Sequence, residues 1–115
     1  MTHNMRLTGG AWRSIAFGAK DIEMRLCDEK RSLMKQGDAV EFVNLDDGRV
    51  IFAKISGLHR FENFAMLYSA FSQERLGYLS GENACPADME KYYSRDDIEK
   101  WGVLGIELSD IKLKN

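Results

Sequence analysis

Two runs of alternating polarity, separated by an Asp46-Asp47-Gly48 turn, commit the middle of this chain to an antiparallel β-hairpin. In the first arm, AVEFVNL, Val40 and Phe42 share one face. In the second, RVIFAKISGLHRF, that role falls to Ile51, Ala53 and Ile55. Successive side chains on a strand point to opposite faces, so each arm has one apolar side to bury.

The flanking segments extend a sheet and cover it. Upstream, MRLTGGAWRSIAFGAK reads as a short strand, a glycine-bearing turn and a short helix with Trp12, Ile15, Ala16 and Phe17 at helical spacing, stopped by Gly18. From Lys20 to Leu26 the period is two: Ile22, Met24 and Leu26 face one way, Asp21, Glu23 and Arg25 the other. After the hairpin the period lengthens. Phe61, Phe64, Leu67, Tyr68 and Phe71 describe an amphipathic helix suited to plugging one end of a barrel. Pro86 is placed as the first residue of a helix through ADMEKYY. Ser94 with Asp97 resembles a capping box for a second helix, which Gly102 ends. GVLGIELSDIKL closes the chain as a strand. The expected class is α+β, mainly β: a mixed, largely antiparallel sheet that curls up, with short helices at its ends.

At 115 residues, with 44% hydrophobic and 30% charged side chains and no repeat or linker, one domain spanning 1–115 is expected. No apolar run is long enough to span a bilayer, and MTHNMRLTGG lacks a signal-peptide pattern, so a cytoplasmic protein with no membrane partner is expected. Cys27 and Cys85 stand alone, without zinc-site spacing. A net charge of -2 excludes a broad basic surface, so nucleic acid would have to be met locally. Basic residues outnumber acidic ones only in residues 1–60, which favours the region from Arg13 to Lys35 for an anionic ligand.

The stretch GAKDIEMRLCDEKR carries the most chemistry. Glu23 and Arg25 fall on one non-core face, about 7 Å apart, and Lys20 can reach over that face from the strand's start. A carboxylate with two cations suits a nucleobase and its phosphate or carbonyl oxygens. The same charges also fit an exposed strand face. Trp12, Tyr68, Tyr78, Tyr92, Tyr93 and Trp101 could stack on bases, but most sit at core-like spacings. Trp12 is the exception, flanked by Gly9-Gly10 and Arg13. His3 and His59 lack neighbouring ligands, so neither a metal nor a cofactor is expected. No G-x-S-x-G elbow or phosphate-binding loop is present.

G-x-K-x-x-E-x-R-L, the DEKR run, K-x-G-D, LHRFENFAMLY and DMEKYYSRDDIEKWGVLGIEL together resemble small stand-alone ASCH domain proteins over nearly the whole chain. The resemblance implies a PUA-like β-barrel with short helices at its ends and an RNA-binding cleft built on Gly18, Lys20, Glu23 and Arg25. It also implies an alternative. Some relatives resemble amidohydrolases acting on acetylcytidine, in which a lysine and a threonine three residues later work with a glutamate. Lys20 matches the lysine, Glu23 stands at the threonine position, and Glu74 is a candidate third member. Glu23 cannot replace a hydroxyl nucleophile but can act as a base for water, in an amidohydrolase or a nuclease. The favoured expectation is therefore a module for RNA or a modified nucleoside, bound by Trp12, Arg13, Lys20, Glu23 and Arg25. A purely structural or protein-binding domain is the third reading.

Overall fold

In the computed structural model, which describes residues 1–114, five strands form one sheet. They are β1 (Thr2–Leu7), β2 (Ile22–Leu26), β3 (Ala39–Asn44), β4 (Val50–Phe61) and β5 (Val103–Leu113). The helices are α1 (Gly9–Ala16), α2 (Phe64–Ala70) and α3 (Arg95–Trp101), with 3-10 turns at Arg31–Leu33 and Pro86–Lys91.

The hairpin is β3 and β4, with Val40 opposite Ala53 and Phe42 opposite Ile51. Strand order is β1-β3-β4-β5-β2. β1 runs parallel to β3, Thr2 facing Ala39, and the other pairs are antiparallel. Register shifts between Phe52 and Lys54 and between Ile55 and Gly57 interrupt the β4–β5 ladder. Bulges of this kind bend a strand and increase its twist, which lets the sheet curl into a half-barrel.

Two apolar clusters occupy the two sides of the curled sheet. The first fills the interior and joins Trp12 and Ile15 of α1 to Val40, Phe42, Ile51, Ile55, Leu104 and Ile106. The second joins Ile22, Met24, Leu26 and Val103 to Phe64 and Leu67 of α2, with Leu76 and Met89. The interior plug is therefore α1, and α2 covers the opposite face of β2 and β5. Phe61 ends β4 and Phe71 lies beyond α2, so the aromatic series spans a strand end, a helix and a loop.

Local signals set the element ends. The Asn63 side chain accepts a hydrogen bond from the Met66 amide at 2.9 Å, and Ser94 accepts one from Asp97 at 3.1 Å. Gly102 ends α3 with φ of 71° and ψ of -175°, an almost glycine-only conformation that costs other residues about 1–3 kcal/mol. The Gly9-Gly10 pair forms the first turn of α1 and no loop, and Phe17 is exposed just past its end. Among the described residues no helix is long and apolar enough to cross a membrane, and no cluster of His, Cys, Asp and Glu could hold a metal.

Candidate functional site

β2 is the strand that builds the site, because both of its faces are covered. Cross-strand partners share a face, and Glu23 pairs with Ile106 and Arg25 with Leu104, both in the interior cluster. Glu23 and Arg25 therefore point into the curl, while Ile22, Met24 and Leu26 lie under α2. The alternation is as expected, but the polar face does not look into solvent. Glu23 is only 3% exposed.

A buried carboxylate needs partners. Glu23 has them on both oxygens: Lys20 Nζ lies 3.0 Å from Oε1, and Arg25 Nη2 lies 2.8 Å from Oε2. The Arg25 Nε donates to Oε2 at 3.0 Å and the Met24 amide to Oε1 at 3.3 Å. Burial pushes the Glu23 carboxyl up, but the adjacent Lys20 and Arg25 outweigh it, so the group ionises below its ordinary range. Burial lowers the Arg25 guanidinium, and Glu23 more than restores it. Arg25 Nη2 also donates to the Arg6 carbonyl at 3.2 Å. β1 and β2 are the two edges of the sheet, so this bond crosses the open seam of the half-barrel.

A cleft of about 490 Å³ opens at that seam. β1 supplies Arg6, β2 supplies Glu23 and Arg25, and the turn after Pro86 supplies Lys91, Tyr92 and Tyr93. Lys20 and Thr8 complete the polar lining. Tyr93 is held by stacking on Phe64, with ring centroids 6.1 Å apart, and burial pushes its phenol up. Tyr92 is 69% exposed and free to meet a ligand at the rim, beside exposed Leu45.

Of the residues expected in the site, Lys20, Glu23 and Arg25 come together at the cleft, whereas Gly18 of the same motif does not line it. Trp12, Arg13 and Glu74 do not line the cleft. Trp12 is 1% exposed, and its Nε1 donates to the Phe42 carbonyl at 3.0 Å. The reason is helical phase: residue 12 shares the inward face of α1 with Ile15, which leaves Arg13 outside. Glu74 is exposed on the turn after α2. What meets Lys20 from that turn is Gly77, with φ of 104°, where a Cβ would lie 3.1 Å from the lysine Cδ.

Gly77→Ala should therefore cost about 1–2 kcal/mol in urea unfolding, from the unfavourable φ, and should displace the Lys20 stem. Arg6, Thr8 and Lys91 were not legible as site residues, and Tyr92 was one of six aromatic residues able to stack, with nothing in the sequence to single it out. These four come from segments far apart in sequence, and only the β1–β3 pairing and the docking of the Pro86 turn bring them together.

A second, larger groove of about 890 Å³ lies between α2 and α3. Its cations, Arg60, Arg95 and Lys100, are matched by Glu62, Glu90 and Glu99, and Arg95 is already paired to Glu90 at 2.7 Å. It has no net charge to attract an anion.

The curled mixed sheet with an inner helical plug is the PUA-like fold of ASCH domains, in agreement with the sequence resemblance. Among solved structures, the chain is similar to the hypothetical protein PH0355, with 27% identity over 99% of this chain and 100% of that one and a TM-score of 0.81. It is also similar to protein PF0455 from Pyrococcus furiosus, with 26% identity, 95% and 96% coverage and a TM-score of 0.66. ASCH from Zymomonas mobilis shares the fold at 17% identity, with 97% of this chain and 69% of that one aligned and a TM-score of 0.69. No protein-family model matches the chain, and no curated protein does.

Proposed function

We propose that this chain acts as a single-domain ASCH module that binds a nucleotide, in RNA or as a modified nucleotide, in the cleft at the seam between β1 and β2. The observation that carries the reading is the concentration of Arg6, Lys20, Arg25 and Lys91 around one neutralised carboxylate, with Tyr92 exposed at the rim. The cations suit phosphate, and an exposed tyrosine suits stacking on a base. The chain's net charge of -2 keeps the contact local.

Glu23 serves this reading differently from the role its sequence position suggested. Its oxygens are taken by Lys20, Arg25 and the Met24 amide, so it holds the cations in place and does not accept from a base. The same engagement, with the lowered carboxyl pKa, speaks against Glu23 as a general base near neutral pH. Glu74, outside the cleft, gives the amidohydrolase and nuclease readings no replacement.

Fluorescence anisotropy with short single-stranded RNA tests the proposal. Lys20→Ala and Arg25→Ala should each weaken binding by about tenfold, the order expected for losing one charge-assisted contact to phosphate. The salt dependence should be shallow, because a cleft with four cations releases few counterions. Binding that is absent, or that both variants leave unchanged, overturns it.

A further inference from the structure

The polar groups of the cleft are unequal in a way that narrows the ligand, on the nucleotide-binding reading given above. The lining carries four cations, Arg6, Lys20, Arg25 and Lys91, against one anion, Glu23. A carboxylate offers about four acceptor directions. Glu23 directs Oε1 at Lys20 and the Met24 amide and Oε2 at two nitrogens of Arg25, so it has nothing left for a ligand donor.

The cations are not used up. Lys20 gives one contact to Glu23 out of the three donors of an ammonium. Arg25 commits Nε and Nη2 to Glu23 and the Arg6 carbonyl, and the Tyr93 hydroxyl also lies against its guanidinium, so only part of its five donors stays open. Among the described residues, Arg6 and Lys91 have no ion-pair partner. The ionic groups of the cleft thus offer donors and almost no acceptors. A neutral nucleoside would leave those donors poorly paired once water is displaced, at a cost of about 1–3 kcal/mol for each one buried.

Size and charge narrow the choice further. A space of about 490 Å³ is that of a drug-sized ligand, one nucleotide and not a run of them. A phosphodiester within a strand brings one negative charge, whereas a phosphate monoester brings about -1.5 to -2 and three strong acceptor oxygens. Four cations less one anion leave a lining of net +3, which the monoester neutralises better.

We infer that the cleft captures a terminal phosphate monoester, at the end of an RNA strand or on a free nucleoside monophosphate. Lys20 and Arg25 grip it from the floor, Arg6 and Lys91 from the walls, and Tyr92 covers the attached base. Glu23 is the positioning residue, since it fixes both floor cations without touching the ligand.

Binding of short RNAs that carry a phosphate at the 5′ end, a phosphate at the 3′ end, or hydroxyls at both ends decides the matter. One phosphorylated RNA should bind about tenfold or more tightly than the hydroxyl-ended one, and a nucleoside monophosphate should compete where the nucleoside does not. The advantage should shrink as pH falls through about 6, where the monoester takes up its second proton. Lys91→Ala, a surface change, should reduce it several-fold with no change in melting temperature.

Glu23→Gln should abolish most of the advantage while leaving weak binding to the hydroxyl-ended strand. Equal affinity for phosphorylated and hydroxyl-ended RNA, or an advantage that ignores pH, overturns the inference and leaves RNA binding standing. Failure of every RNA and of the monophosphate to bind overturns both.

Discussion

Trp12→Ala is expected to destabilise the protein by about 3–5 kcal/mol, the range for removing a large aromatic side chain from a packed core. Trp12 is among the largest fully buried side chains, and it shares the interior cluster with Ile15, Phe42 and Ile51. Its loss leaves a cavity under the sheet and strips the Phe42 carbonyl of its indole donor. It also removes the ring on which the Arg49 guanidinium rests, 5.4 Å from the centroid. Urea unfolding at neutral pH measures the effect.

Trp12→Phe separates the contributions. It keeps an aromatic ring but not the donor, so it should cost about 1–3 kcal/mol, the penalty of an unsatisfied buried carbonyl plus some lost volume. If Trp12 instead stacked on a ligand, both variants would lose RNA affinity with little change in stability. The geometry requires the reverse: stability falls, and the affinity of the folded fraction stays within about twofold, since no atom of Trp12 lines the cleft.

The misreading of Trp12 shows where a linear pattern runs out. Its neighbours Gly9, Gly10 and Arg13 suggested an open, adaptable turn, yet both glycines lie inside the helix, and residue 12 is turned toward the core. Period and punctuation were enough for the central hairpin, the Ser94 and Gly102 boundaries of α3 and the two-sided character of β2. They did not reveal that the charged side of β2 faces the interior of the curl, because alternation separates two faces without saying which is wet. That follows only from the pairing of Glu23 with Ile106 and Arg25 with Leu104, contacts about eighty residues apart in sequence. The parallel pairing of β1 with β3 was equally hidden, and it is what brings Arg6 to the seam. Lys20, Glu23 and Arg25 were therefore readable from β2 and the residues just before it, and the walls of the cleft were not.

Glu23→Gln tests the floor of the site through stability and pH together. The change keeps the shape of the side chain and removes its charge, leaving Lys20 and Arg25 close together and without their shared counter-ion. Breaking a buried ion pair from one side costs about 3–5 kcal/mol, because the remaining charge stays desolvated. Lys20 and Arg25 keep some access to the cleft, so a loss of about 3 kcal/mol is expected at neutral pH.

The pH dependence fixes the cause. In the folded protein Glu23 ionises below the ordinary value of 4.5, so the unfolded chain binds its proton first as pH falls. The stabilisation from this group is then fully present above about pH 4.5 and is lost progressively on acidification toward the folded-state pKa. Wild type and Glu23→Gln should differ most at neutral pH, and their unfolding free energies should approach each other in acid as the wild-type carboxyl is protonated. A constant gap between the two curves from neutral to acid pH would mean that the glutamate contributes only packing, and that Lys20 and Arg25 are held in place by something other than its charge.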